Sequence, residues 1–361
     1  MPHKIRTRVR CQPWGGQAGC AVGTHAPKSY RNRNGAQSLA RQPLLGGASG
    51  IMDTIRADQV VETALKGANA TLSQMLKGDI IALKAPMRQP VDEIVRAEIE
   101  YLAKTRRTPQ RNKLGKLVKP PAVNKLVVML ETTGGFIEVV ERLALSFRNH
   151  YKTVEFIVPN YAYSAGTVLV MSGDEIYMDY FSILGPIDPQ YPEDGDYLPG
   201  MGYLAKFNEL LKAINEDKTG DNTRAELALL LKKFSPAKIF DIEQAVEHSK
   251  ALLEDWLPKY KFKSWKTKET SGKAVTPKDR RERAIEVAKA LGDANHWHSH
   301  GRGITIRDLE SEKIKLKVKD FGDDSDLNTQ IRHYHGLFVD YMKKQRMTAA
   351  VHCGRSIRRI A

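Results

Sequence analysis

Two strand–turn–helix units in tandem constrain the fold of this chain more than any other feature. The first has an apolar run at residues 126–130, the turn TTGG at 132–135 and helical spacing of apolar residues behind it. The second has an apolar run at 154–158, the turn YSAG at 163–166 and a short helix of small and apolar residues. Short, continuously apolar strands are typical of a parallel sheet that is covered on both faces. Strand–helix alternation with short connections therefore predicts an α/β fold with right-handed crossovers.

The two turns contain the residue types that acyl transfer requires. Ser164 follows a strand and precedes a helix, whose N-terminus stabilises developing negative charge. Gly134 and Gly135 allow backbone amides to approach and face a ligand. Two alternatives stay open, because Ser164 could simply cap its helix and the glycines could serve close helix–sheet packing. The pairing of the two turns on neighbouring units favours a catalytic site.

The same segments resemble the serine dehydrogenase proteinase family, which is related to signal peptide peptidase A within the Clp protease/crotonase superfamily. ETTGG resembles the T-P-G-G element of that family, with Thr133 where proline is commoner, and YSAGT matches its nucleophile turn. SILGPIDPQY and SHGRGI are similar to two further family segments. The resemblance covers roughly residues 52–342. It implies a Clp protease/crotonase-like superfold of parallel ββα units with added N- and C-terminal helices.

The resemblance implies hydrolysis of peptide bonds by a serine nucleophile. Ser164 would attack the substrate carbonyl, and backbone amides at Gly134, Gly135 and Ala165 would form the oxyanion hole. A peptide or protein substrate, assembly into a homo-oligomer, and the absence of a cofactor are also implied. The word dehydrogenase in the family name implies no nicotinamide chemistry, because no GxGxxG segment follows a strand in this sequence.

The general base is the least determined part of this site. Relatives use either a Ser-Lys dyad or a Ser-His-Asp triad. No histidine lies between positions 150 and 248, so the triad histidine expected some 25 residues after the serine is missing, and Asp188 stands at about that distance instead. Lys206, 42 residues after the serine, is the favoured dyad partner, with Lys212 next. The alternative for both lysines is a solvated position on a helix surface.

A histidine-rich segment, HWHSHGR, lies towards the C-terminal end. His296, His298 and His300 at alternate positions could converge on a metal ion. No carboxylate or thiol lies within the cluster, so no metal is expected. His300 and Arg302 are instead predicted to bind substrate or to hold a loop over the site, and Asp188 is assigned a similar substrate-binding or structural role.

Positive charge is concentrated at the two ends of the chain. The net charge is +15, and residues 1–51 and 341–361 contribute 14 of these charges because neither segment contains an acidic residue. Basic tails can bind nucleic acid, but solvated, disordered ends are the favoured interpretation. All three cysteines lie in these segments, which fits a reducing, cytoplasmic location. No apolar run approaches the roughly 18 residues of a membrane-spanning helix, so none is expected.

Composition and spacing divide the chain into five segments. Residues 1–51 are predicted to be a disordered basic extension, and the functional chain could begin near Met52, where the composition changes. We expect a helical N-terminal segment at 52–121, a catalytic ββα core at 122–200, a helical C-terminal region at 201–340 and a basic tail at 341–361. Within the core, a third strand is predicted at 175–178, followed by a flexible loop at 195–202.

Two other functions stay open. A non-catalytic scaffold of the same fold would use its helices and basic tails for binding, and the unassigned base favours it. A crotonase-type acyl-CoA enzyme would share the paired-amide oxyanion site without needing a serine nucleophile. Replacement of Ser164 by alanine separates both from a serine peptidase, because only the peptidase depends on that hydroxyl.

Overall fold

The computed structural model of the protein describes residues 57–107, 110–111, 116–118, 124–193, 196–216, 223–297 and 301–360. The strands are β1 Asp79–Lys84, β2 Gln110–Arg111, β3 Leu117–Val118, β4 Lys125–Glu131, β5 Thr153–Ile157, β6 Tyr161–Ala162, β7 Glu175–Met178, β8 Ile183–Leu184, β9 Gln190–Glu193, β10 Asp196–Pro199, β11 Lys319–Asp320, β12 Ala349–His352 and β13 Arg358–Ile360. The helices are α1 Ala57–Leu76, α2 Val91–Arg107, α3 Ile137–His150, α4 Ala165–Met171, α5 Gly200–Glu216, α6 Thr223–Lys233, α7 Pro236–Lys259, α8 Pro277–Leu291, α9 Ala294–Trp297, α10 Ile306–Glu310 and α11 Ser325–Lys344, with a 3-10 turn at Phe321–Asp323.

A seven-stranded sheet lies at the centre, in the order β11-β7-β5-β4-β1-β12-β13. β1, β4, β5, β7 and β11 are parallel, whereas β12 and β13 pair antiparallel at one edge. The central strand β4 is buried along all but its first residue, which explains its continuous apolar sequence. The predicted α/β fold with a mostly parallel sheet is confirmed.

Helices cover both faces of the sheet. One face packs on α2, α3, α4, α7 and α8 through a core that includes Phe147 and Leu253. The other face packs on α1 and α11 through a second core that includes Tyr334. Neighbouring β4 residues divide between the two cores, Val128 in the first and Val127 in the second, because side chains alternate between the faces of a strand. The TTGG and YSAG turns lie beyond the ends of β4 and β5, at one edge of this sheet.

The strands at 153–157 and 175–178 and the helices behind both turns agree with the sequence-based prediction. The N-terminal segment differs, because the expected helices are interrupted by β1, which pairs parallel with β4. Its apolar run is only four residues long, and a run that short does not distinguish a strand from a helix by periodicity. The flexible loop predicted at 195–202 is also different, since β9 and β10 form an antiparallel hairpin and α5 begins at Gly200.

The C-terminal tail is not a solvated segment, contrary to expectation. Residues 349–352 and 358–360 form β12 and β13 of the central sheet, and Cys353 is buried in the core. The guanidinium groups of Arg355 and Arg358 bind the buried carboxylate of Glu98 on α2, at 2.6 and 3.2 Å. Burial would raise the pKa of Glu98, but hydrogen bonds from Arg355, Cys353 and Arg358 outweigh it and lower that pKa. Arg355 and Arg358 therefore attach the last strands to α2.

The predicted basic extension at 1–51 lies outside the described residues, and the division of the remainder into segments stays a prediction. In the part of the chain that the structure covers, no helix combines the length and the apolar character needed to cross a membrane.

Candidate active site

Hydrogen bonds join the two turns directly. The Thr132 amide donates to the Tyr161 carbonyl at 3.1 Å, and the Tyr163 amide donates to the Thr132 carbonyl at 3.0 Å. Thr132 also pairs with Ala162 as an isolated parallel bridge. The ends of β4 and β5 thus continue as a short ladder beyond the central sheet, which brings the TTGG and YSAG turns side by side as their spacing predicts.

Ser164 adopts a strained backbone conformation at the start of α4. Its φ is 51° and its ψ is −118°, a combination that costs a non-glycine residue about 1–3 kcal/mol. Although it occupies the N-cap position, its side chain makes no capping hydrogen bond. The buried hydroxyl instead donates to the Asp188 carbonyl at 3.2 Å. The simple capping role is therefore absent, and the strain has the form of a sharp strand-to-helix turn that presents a nucleophile.

Gly134 and Gly135 are required by close backbone contacts. A Cβ at Gly134 would lie 2.7 Å from the Tyr163 carbonyl oxygen and 3.0 Å from the Ser164 Cβ, and φ there is +87°. A Cβ at Gly135 would lie 2.3 Å from the Met87 carbonyl oxygen, with φ at +147°. The glycine turn consequently packs against the serine turn on one side and against the Met87 backbone on the other.

The amides in these turns differ in their availability. The Gly134 amide donates to the Thr132 hydroxyl at 3.0 Å and is used inside the turn. The amides of Gly135 and Ala165 have no hydrogen-bond partner among the described residues, and both residues line the cleft that contains Ser164. Two unpaired amides next to a hydroxyl are the donor set that a tetrahedral oxyanion needs. Of the three predicted contributors, Gly135 and Ala165 suit this role and Gly134 shapes the turn.

A cleft of about 760 Å³ opens above Ser164. Its walls come from the N-terminal part of α3, including Glu138, and from one face of α7, including Lys238, Asp241 and His248. The α7 side chains recur every three or four residues, so they share a face of that helix. This volume falls in the usual range of small-molecule and peptide sites.

Lys206, the predicted base, does not line the cleft that contains Ser164, whereas Asp188 contacts the Ser164 hydroxyl through its backbone carbonyl. Lys206 lies on α5 with 71% of its side chain exposed, and its ammonium pairs with Glu209 at 2.6 Å. The carboxylate of buried Asp188 accepts a hydrogen bond from the Met201 amide at 2.9 Å, at the beginning of α5. This bond supports the structural role for Asp188, while its carbonyl oxygen holds the Ser164 hydroxyl.

The histidine-rich segment is only partly described. His298 and His300 lie outside the described residues. Arg302 is exposed, and its guanidinium lies 5.8 Å from the centroid of the Trp297 ring. Among the described residues, no group of three metal-ligating side chains comes together.

Sequence reasoning missed the polar residues that the cleft does contain. His248 on α7 contacts Glu141 on α3, with 3.0 Å between Nε2 and Oε2. Lys238 lies 5.2 Å from the centroid of the Tyr191 ring. The only signal in the sequence is the spacing of polar residues along α7, and that spacing does not reveal which neighbour the helix face meets.

A second polar cluster lies at the end of β4 and faces α11. The Glu131 carboxylate binds the Lys84 ammonium and, at 2.7 Å, the His335 imidazole. Burial alone would raise the pKa of Glu131, but the hydrogen bonds and charges of His335 and Lys84 outweigh it and lower the pKa to about 2. The cluster is an internal ion pair network of the fold.

Comparison with known proteins agrees with the motifs. Residues 114–279 match the family model of ClpP-like SDH-type serine proteinases. The resemblance is confirmed over this segment, which contains both turns and α7 but excludes His300 and Arg302.

Two similar proteins are uncharacterized proteins of Methanocaldococcus jannaschii. MJ1495 is 31% identical over 145 residues, covering 40% of this chain and 44% of its own, and MJ0137 is 34% identical over 70 residues, covering 19% and 24%. This chain therefore spans less than half the length of either relative. A solved ClpP protease catalytic domain from Plasmodium falciparum aligns with a TM-score of 0.25 and 12% identity, over 37% of this chain and 61% of that one. A likeness at that level carries no argument about the site.

Proposed function

We propose that the protein is a serine hydrolase that cleaves peptide bonds, with Ser164 as its nucleophile. The observation that carries the proposal is the strained Ser164 turn, which is packed on the glycine turn and borders a cleft lined by the unpaired amides of Gly135 and Ala165. Strained backbone at a non-glycine residue persists only where the surrounding structure enforces it, and it is concentrated at functional sites.

The mechanism follows from this arrangement. The Ser164 oxygen attacks the substrate carbonyl carbon, and the carbonyl oxygen becomes an oxyanion between the amides of Gly135 and Ala165. The N-terminus of α4 adds a partial positive charge at the same position, although the helix is short. The intermediate collapses as the peptide C–N bond breaks, and the amine leaves with the proton that the serine gave up. Water then hydrolyses the acyl-enzyme, releases the acid and restores the hydroxyl.

The cleft favours an extended peptide as substrate. It is lined by apolar residues, including Ile187 and Ile242, and by charged residues, including Glu138, Lys238 and Asp241. An apolar lining with a few charged groups suits a chain that carries both backbone amides and side chains. A peptide or protein substrate is thus the proposed class.

Hydrolysis assays with matched serine variants test the proposal. Unfolded casein and an activated nitrophenyl ester serve as substrates, and Ser164→Ala should lower turnover by on the order of a thousandfold or more. Ser172→Ala is the control, because Ser172 ends the same helix and its hydroxyl donates to the Leu169 carbonyl. Full activity in Ser164→Ala, with a loss in Ser172→Ala, would refute the assignment.

The proposal extends to assembly, on the basis of the resemblance, and to location, on the basis of the cysteine usage. We expect a homo-oligomer in the cytoplasm. Light scattering of the purified full-length chain measures the first expectation, and a monomeric mass at micromolar concentration would contradict it.

A further inference from the structure

One histidine that lines the cleft of Ser164 contacts a carboxylate. His248 comes from α7 and Glu141 from α3, so the pair connects two helices that border the cleft. Their side chains are 32% and 39% exposed, respectively, and the imidazole of His248 lines the cleft. None of the other histidines of the described chain lines this cleft.

The contact fixes which nitrogen of His248 can accept a proton. An ionised carboxylate only accepts hydrogen bonds, so Nε2, which faces Glu141 at 3.0 Å, is the donor. In the neutral imidazole the other nitrogen, Nδ1, then carries the free electron pair. An imidazole that is oriented by a carboxylate and has its second nitrogen open is the arrangement expected of a general base for a serine.

Other groups in or near the cleft suit this role less well. Lys238 places its ammonium 5.2 Å from the Tyr191 ring centroid, and a cation–π contact is made by the charged ammonium, which has no electron pair to accept a proton. Lys206 is paired with Glu209 on an exposed face of α5 and does not line the cleft. The structure thus favours the imidazole over both lysines.

We propose that His248, held by Glu141, accepts the proton of Ser164, an inference that rests on the proposed hydrolase function. As the bond from Oγ to the substrate carbonyl carbon forms, the Oγ proton passes to Nδ1 and the carbonyl electron pair moves to oxygen. The same proton passes to the leaving nitrogen when the C–N bond breaks. Water repeats the sequence to release the acid and regenerate Ser164.

The resting hydroxyl donates to the Asp188 carbonyl at 3.2 Å. Rotation about the Cα–Cβ bond of Ser164 turns the hydroxyl away from the Asp188 carbonyl and towards an acceptor in the cleft. Glu141 does not touch the reacting atoms and is a positioning residue, because its carboxylate selects the tautomer of His248.

The rate of Ser164 labelling by a fluorophosphonate tests the proposal in the full-length protein. His248→Ala should lower this rate by about 10²–10⁴-fold, the usual contribution of a general base. Added imidazole should restore part of the lost rate, which a merely structural histidine would not allow. His150→Ala, on α3 but lining a separate groove, is the matched control and should label like the wild type.

The pH dependence gives a second readout. A base accepts a proton only in its neutral form, so wild-type labelling should slow as the pH falls, and His248→Ala should lose that dependence. Glu141→Gln should slow labelling less than His248→Ala and should not respond to imidazole.

The outcomes separate this inference from the function on which it rests. If His248→Ala labels at the wild-type rate while Lys238→Met loses labelling, Lys238 is the base and the inference is overturned, although the hydrolase function stands. If the wild type is not labelled at Ser164 at all, the function and the inference both fail.

Discussion

Two histidine–glutamate pairs lie near the carboxyl ends of the central strands, and they differ in almost every respect except chemistry. His335 and Glu131 are 15% and 3% exposed and lie 2.7 Å apart, with Lys84 on the second carboxylate oxygen. His248 and Glu141 are 32% and 39% exposed and lie 3.0 Å apart at the edge of the cleft. Burial and neighbouring groups, not residue type, therefore distinguish a pair that stabilises the fold from one that is available to a substrate.

The buried pair, His335 with Glu131, also contacts a third charged group, Lys84. Glu131 ends β4 and receives His335 from α11 and Lys84 from β1, so three elements depend on one carboxylate. The second pair, His248 with Glu141, connects only α3 with α7, and its imidazole keeps a nitrogen open. We therefore expect stability to depend on the first pair and labelling of Ser164 to depend on the second.

The largest expected difference is in stability. Glu131→Gln leaves Lys84 and His335 without their carboxylate and should lower the free energy of unfolding by about 3–5 kcal/mol. Glu141→Gln should change it by no more than about 1 kcal/mol, because partly exposed ion pairs contribute little. Urea unfolding of both variants measures this. Equal losses in the two variants would remove the distinction between the pairs.

Acid should destabilise the protein in the same way as Glu131→Gln. The pKa of Glu131 is lowered from 4.5 to about 2 in the folded protein, so its contribution to the free energy of unfolding is complete above pH 4.5 and is lost as the pH falls towards 2. The loss amounts to about 3 kcal/mol. Other lowered carboxyl groups such as Glu98 add to the acid response, so the wild type must be compared with Glu131→Gln. The variant should lose less stability over this interval, and an identical slope would contradict the account.

A smaller difference in stability, between two variants of Ser164, measures the backbone strain at that residue. Ser164→Ala and Ser164→Gly both remove the hydroxyl, but only glycine adopts a φ of 51° with a ψ of −118° without strain. The glycine variant should be more stable than the alanine variant by about 1–2 kcal/mol, and both should be inactive. Thermal unfolding of the pair checks this prediction, and equal stabilities would mean that the turn is not strained.

The smallest expected effect is at Lys206. Its side chain is 71% exposed and pairs only with Glu209 on the same helix. Lys206→Ala should change stability by less than about 0.5 kcal/mol and leave the labelling rate of Ser164 unchanged. A large loss of labelling would restore the Ser-Lys dyad that the sequence favours.

The sequence predicts the Ser164 turn and the neighbouring glycine turn because each depends on the conformation of a few consecutive residues. Gly134 and Gly135 adopt positive φ, and Ser164 lies in the short turn between β6 and α4, so the small residues at those positions reflect what the backbone requires there. The parallel strands are equally local, because burial on both faces requires a continuous apolar run.

The proposed base, His248, is not predictable in the same way. His248 follows Ser164 by more than eighty residues, and its position depends on how α7 packs on α3 and α4. The number of residues that separates a lysine from the serine, which suggested Lys206, contains no information about that packing. The C-terminal strands were missed for a related reason, since Arg355 and Arg358 resemble solvated charges until Glu98 is known to face them.

Mass spectrometric mapping of the adduct formed when the full-length protein reacts with a fluorophosphonate identifies the activated serine. We expect a single modified serine, Ser164, and no adduct when the protein is unfolded before the reaction. An adduct on another serine of the folded protein, or equal modification of folded and unfolded chains, would contradict the claim that this turn activates a nucleophile.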